Sequence, residues 1–214
     1  DEAVLARGTR ITADAFSLRR DGKPFPVTGT TYMASDVHRR FLLEPNPDVW
    51  DRDFATMRRV GVNVVRTGIW TGWSRYMGDA GVVNQIALRA LDAFMLTASR
   101  HDVAIVFTFF AFVPPMRGGS NPYLDPKATA AQKGFITAIV GRYRMMPHVT
   151  WDLINEPSFC SPAQLWLTRP NGDEHERRRW AAWLAARYPA ATPEEREATI
   201  QQLWRGAVGE GLGL

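Results

Sequence analysis

Four short β-prone runs alternate with segments of helical period between residues 27 and 154, and no other feature restricts the fold as strongly. The runs are Val27 to Tyr32, Val62 to Ile69, Val103 to Phe110 and Val149 to Ile154. The middle two are almost continuously apolar, as strands buried on both faces must be. Between the runs lie three helical stretches, about Asp48 to Val60, Asn84 to Arg100 and Pro126 to Tyr143. The second shows the period best, through Ile86, Leu88, Leu91, Phe94, Met95 and Ala98. Gly61 ends the first, because glycine tolerates the positive φ common just past a helix. Such alternation with short returns predicts an α/β protein with parallel strands. Right-handed crossovers then bring the C-terminal ends of all four strands to one side.

The flanks read differently. Ile11 to Leu18 and the chain from Phe25 onward, joined by Arg20-Asp21-Gly22-Lys23, predict a small β-hairpin with an Asp-Gly turn. Beyond Pro157 the segments Arg177 to Tyr188 and Pro193 to Val208 predict helices, the second opening on Pro193-Glu194-Glu195. No fifth strand is legible in the sequence there.

Composition narrows the function classes. With 45% hydrophobic and 22% charged residues, the chain is expected to be soluble and globular rather than disordered. No stretch approaches the roughly 18–20 apolar residues of a membrane helix, so an integral membrane protein is not expected. The basic balance, +4, comes from 23 arginines among 26 basic residues. They are interleaved with acids; even Arg177-Arg178-Arg179 follows Glu174-His175-Glu176, which reads as a solvated helix face rather than a nucleic-acid site. Cys160 is the single cysteine, so neither an internal disulfide nor a paired-cysteine metal clip is available. The four histidines are far apart, and no metal site is expected. No glycine-rich phosphate loop follows a strand, and there is no serine nucleophile elbow. A cleaved signal peptide leaves no trace in a chain that opens on Asp1, so secretion, the periplasm and the cytoplasm all stay open.

Two features point to chemistry. Asn155-Glu156-Pro157 directly follows the apolar run ending at Ile154, which sets a carboxylate where a buried strand emerges at the C-terminal rim. Proline there stops the strand ladder. The tripeptide is equally read as a loop-capping Asn beside a solvated Glu. Arg66 lies in an otherwise apolar strand near the same rim. A buried arginine requires a carboxylate or several acceptors, whether in a functional site or in a structural salt bridge to an acid on a neighbouring strand.

Three ordered segments, Gly29-Thr30-Thr31-Tyr32, Gly61-Val62-Asn63-Val64-Val65-Arg66-Thr67 and Trp151-Asp152-Leu153-Ile154-Asn155-Glu156-Pro157, resemble the barrel glycoside hydrolases of clan A. The likeness lies in the region of family 5 and its mannanase-like relatives. The helix carrying Trp180, Trp183, Leu184 and Tyr188 is also similar to the clan's β-galactosidases. The resemblance implies an α/β fold of the TIM (β/α)8-barrel type, with about the first four βα units present. Residues 1–24 would form the hairpin segment, and residues 25–214 a partial barrel with a helical segment after 157.

The resemblance also implies roles. Glu156 matches the general acid/base of a retaining hydrolase, Asn155 the group that bonds the sugar 2-hydroxyl, and Arg66 the arginine that orients the nucleophilic carboxylate. The nucleophile of the clan is a glutamate ending strand seven, and no glutamate of this chain matches it. Tyr32, Trp70, Trp73, Phe110 and Phe112 are expected to offer aromatic faces to sugar rings, with ordinary core packing the alternative for each. Asp36 and His38 in the first rim loop would bond sugar hydroxyls or simply face water. No cofactor is called for. The expected partner is an oligo- or polysaccharide: a β-mannan, β-glucan or β-galactoside, with neither nucleic acid nor membrane involved. An open four-stranded half barrel leaves two strand edges unpaired, which predicts a homodimer or cover by a C-terminal half of the barrel. The competing class is a non-catalytic carbohydrate-binding or degenerate barrel. A hydrolase of other chemistry on a three-layer sheet fits the alternation but not the rim motifs.

Overall fold

The computed structural model of the chain describes residues 10–70, 73–78, 80–111, 125–155 and 174–205. Its N-terminal strands are β1 (Ile11–Ala13), β2 (Leu18–Arg20) and β3 (Lys23–Pro24), an antiparallel sheet in the order β1-β2-β3. The Asp-Gly turn is where the sequence puts it, between β2 and β3, with Asp21 and Gly22 both at positive φ, 51° and 74°. The single strand expected over Ile11 to Leu18 is instead two strands. The Asp14 carboxylate accepts the N–H groups of Phe16 (2.8 Å) and Ser17 (2.7 Å) and folds a tight turn between them. An aspartate that satisfies its own neighbours' backbone in this way competes with the ladder.

The second sheet contains β4 (Gly29–Thr31), β5 (Val64–Gly68), β6 (Ala104–Phe110) and β7 (Val149–Ile154). All pairs are parallel and the spatial order is the sequence order. Thr31 pairs with Arg66, Arg66 with Val106, and Thr108 with Asp152. Side chains alternate along a strand, so Thr31, Arg66, Val106, Thr108 and Asp152 share one face. Tyr32, Val65, Thr67, Phe107 and Phe109 belong to the other face, and all five are buried.

The helices are α1 (Pro47–Arg59), α2 (Gln85–Arg100), α3 (Pro126–Tyr143), α4 (Glu174–Arg187) and α5 (Pro193–Arg205). Local chemistry sets their ends. Asn46 caps α1 with its side-chain oxygen on the N–H of Val49, Pro47 takes the first helical position, and Gly61 follows at φ 87°. Asn84 caps α2 by accepting from Ile86 and Ala87. Ahead of α5, Thr192 and Glu195 exchange side-chain-to-backbone bonds of 2.8 and 3.2 Å, a capping box.

The chain divides into two compact units, one of residues 1–78, 82–111 and 135–155, the other of residues 79–81, 112–134 and 156–214. In the first, the core on the helix side of the sheet is aromatic. Tyr32, Phe41, Trp50, Phe54 and Phe94 form one cluster with ring centroids 4.9–6.2 Å apart. Phe107, Phe109, Phe135, Tyr143 and Trp151 form a second. Asp92 on α2 ties the helices together, accepting from Arg142 (2.7 and 2.5 Å) and from the Tyr143 hydroxyl (2.6 Å). His148, just before β7, is buried and neither ring nitrogen has a hydrogen-bond partner among the described residues. Burial, and next the Arg20 charge, push its pKa down to about 4, with Asp102 opposing. In the second unit α4 and α5 pack together, and Leu184 is buried.

Candidate functional site

Arg66, Thr108, Asp152 and Asn155 gather at the C-terminal end of the parallel sheet, on the face away from the aromatic core. Arg66 leaves β5 level with Val106 and reaches over β6 toward the rim. Its Nη2 donates to Asp152 Oδ2 at 2.7 Å and to Asn155 Oδ1 at 2.9 Å. Thr108, paired with Asp152 across β6 and β7, donates its hydroxyl to the same Oδ2 at 2.8 Å. Asn155 follows the last residue of β7 and is held by its N–H to the Phe110 carbonyl, 2.9 Å. The Arg66 guanidinium also lies over the Trp70 ring, 5.5 Å from its centroid. Three adjacent strands thus fix one cation, one carboxylate and one amide at a common rim.

This arrangement settles what Arg66 pairs with. The acid is Asp152, two strands away, which is the salt bridge of the structural reading extended across an intervening strand. The same guanidinium also holds Asn155. Both bonds use Nη2, so among the described residues the remaining N–H groups of Arg66 make no hydrogen bond. The pair is open, with side chains 35% and 28% exposed. Below it the sheet face is hollowed between β4 and β5, lined by Gly29, Thr30, Thr31, Val64 and Arg66.

Tyr32 requires a correction. It was expected at the sugar-binding rim, but one residue beyond Thr31 it turns to the opposite face, where Phe41, Phe54 and Phe94 enclose it. Its hydroxyl donates to Asp53 Oδ2 at 3.0 Å, and burial first, then the Asp53 charge, raises its pKa well above the ordinary tyrosine value. Asp53 also accepts from the Ser35 N–H and hydroxyl, which pins the start of the rim loop to α1. Phe110 shares the face of Thr108 by alternation and is buried, 4% exposed. Trp70 is 7% exposed, and its indole N–H has no hydrogen-bond partner among the described residues.

Asp36 and His38 stay on the surface of the loop after β4. The Asp36 carboxylate accepts from the Val37 N–H at 2.7 Å, and His38 adopts a positive φ of 54°. Trp73 opens a short 3-10 turn, Trp73–Arg75. Glu156 and Phe112 lie outside the described residues. Among the described residues no group of three or more His, Cys, Asp or Glu side chains is placed to hold a metal, and no helix is long and apolar enough to cross a membrane.

Sequence reasoning missed Asp152 and Thr108. The signal was present: Trp151-Asp152-Leu153 puts an acid inside an otherwise apolar strand, the same anomaly that singled out Arg66. In the folded chain each charge is the partner of the other, in a pair only partly covered from solvent.

No family model matches the chain. It is 24% identical over 178 residues to mannan endo-1,4-β-mannosidase F of Aspergillus clavatus, a match covering 70% of this chain and 41% of that relative. Among solved structures it is similar to an exo-β-1,4-mannosidase from Opitutaceae bacterium strain TAV5 (TM-score 0.59, 21% identity, 72% of this chain and 30% of that one). It is also similar to GH5_18 from Bifidobacterium longum in complex with Manβ1-4GlcNAc (0.57, 21%, 79% and 41%). A third is the endo-1,4-β-mannanase of Rhizomucor miehei (0.56, 18%, 92% and 58%). The chain therefore spans less than half the length of the curated relative it matches. The fold is of the TIM-barrel type, carried here by four consecutive parallel strands, and the resemblance to mannanase-like barrel hydrolases holds.

Proposed function

We propose that this chain is the part of a retaining β-mannoside hydrolase that carries the general acid/base. The observation that carries the reading is the Arg66–Asn155 bond at the end of β7, immediately before Glu156. An amide held by a cation at the C-terminal rim of a barrel is suited to bond a sugar hydroxyl beside the reacting centre. Glu156, next in the chain, would protonate the departing glycosidic oxygen and then activate water. The remaining N–H groups of Arg66 would meet the nucleophilic carboxylate, supplied from beyond the four strands described.

Mannose as the sugar is supported by the relatives, whose names specify β-1,4-mannan and β-mannosides. Trp70 backs Arg66 in this reading rather than meeting the sugar, because the guanidinium lies over its ring and the residue is buried. Asp36 and His38 remain the outer contacts of this reading.

The test is Glu156→Gln in the intact natural protein. With aryl β-mannosides of poor leaving group, turnover should fall by about 10²–10⁴-fold, the range for loss of a general acid/base. Activated aryl mannosides should lose less in the first step and stall at deglycosylation. Equal turnover of wild type and variant on every leaving group withdraws Glu156. Binding of manno-oligosaccharides without any turnover favours the non-catalytic barrel.

A further inference from the structure

We infer that Asp152 is a positioning residue for this reaction, acting through Arg66 on Asn155; the inference rests on the glycosidase reading above. One nitrogen, Nη2 of Arg66, carries two hydrogens and serves two acceptors, Asp152 Oδ2 at 2.7 Å and Asn155 Oδ1 at 2.9 Å. The guanidinium is planar and rigid, so the direction taken by the first bond dictates the second. Asp152 is itself held, because Thr108 Oγ1 donates to the same Oδ2 at 2.8 Å from the neighbouring strand. The chain of contacts therefore runs from β6 to β7, across to the long side chain from β5, and back to Asn155, the residue that follows β7.

Stability is a weak reason for such a carboxylate to be there. The ion pair is open to solvent, 35% and 28% exposed, and pairs of that kind contribute little to folding. Its consequence is geometric. With Oδ1 bound to Nη2, the Asn155 amide has one orientation instead of two, and it sits one residue before the acid/base. The Asp152 charge also offsets that of Arg66. Without it, the uncompensated cation would favour the ionised form of a neighbouring carboxylic acid.

The experiment compares Asp152→Asn, Asp152→Glu and Thr108→Val in the intact natural protein, with aryl β-mannosides across a range of pH. Asp152→Asn should lower kcat about 10–100-fold, the order expected when a reacting group is misplaced by about an ångström, with KM changed less than about threefold. The alkaline limb of the kcat/KM profile should move to lower pH. Asp152→Glu should restore part of kcat and return the limb. Thr108→Val, which leaves every charge in place, should lower kcat several-fold in the same direction. Wild-type kcat with an unmoved alkaline limb overturns the inference, as does a loss confined to KM or to the folded fraction. If Asp152→Asn does not fold, Thr108→Val decides, and an unchanged kcat there overturns it. A wild-type protein that turns over no β-mannoside withdraws both readings, whereas an active wild type with an indifferent Asp152 sinks this one alone.

Discussion

On the helix side of the parallel sheet, Tyr32 is closed in by Phe41, Phe54 and Phe94 with its hydroxyl on Asp53; on the other face, Arg66 reaches over β6 to Asp152 and Asn155. Both faces are built by alternate residues of the same strands. The first is apolar, tightly packed and fully buried, so its contacts are accounted for by burial of aromatic surface. The second is polar and only partly covered, and its bonds converge on the residue before Glu156. The difference teaches that parity along a strand, more than position near a rim, decides whether a side chain serves the core or the site. Tyr32 and Thr31 are neighbours in sequence, yet only Thr31 stands on the Arg66 face.

The sharpest way to break this division is in the core. Phe94→Ala should destabilise the protein by about 3–5 kcal/mol, the usual range for a buried phenylalanine, since Phe94 is fully buried and touches four aromatic rings. Urea denaturation measures it, and a loss below about 1 kcal/mol would mean the cluster is not the core. At the opposite end of β7 from the site, His148 should make stability pH-dependent. Its folded pKa of about 4 lies below the ordinary value near 6.5, so the unfolded chain takes up a proton first. Stability should be full above about pH 6.5 and fall by roughly 3 kcal/mol as pH drops to 4. Denaturation at pH 7 and pH 4.5, with His148→Leu lacking that component, checks it; identical slopes for the two proteins would contradict it.

A smaller effect separates the two faces directly. Tyr32→Phe removes only the hydroxyl that Asp53 accepts. The expected cost is about 1 kcal/mol of stability, with kcat and KM for manno-oligosaccharides unchanged. A raised KM at unchanged stability would return Tyr32 to the rim where the sequence first put it.

Much of the fold was legible because the signals were local. The span of α3 and the last strand, Val149–Ile154, match the expected boundaries, and Asn84 marks the start of α2 by capping it. The hairpin was half-read: the Asp-Gly turn is explicit, but Asp14 looks like any polar residue until its carboxylate is seen on two backbone N–H groups. In the site, Arg66 was visible as a cation in an apolar strand, while Asp152 escaped notice because it lies 86 residues away in sequence. Which acid an arginine meets is a matter of register between strands, and no local pattern encodes that.

The central claim is that the polar rim performs hydrolysis with retention rather than merely binding sugar. Proton NMR of the intact natural protein digesting a β-1,4-manno-oligosaccharide tests it most directly, because the anomeric signals of the first product appear before mutarotation. The account predicts the β-anomer first, as a retaining mechanism requires. An α-anomer appearing first, or an oligosaccharide that binds and stays uncut, would contradict it.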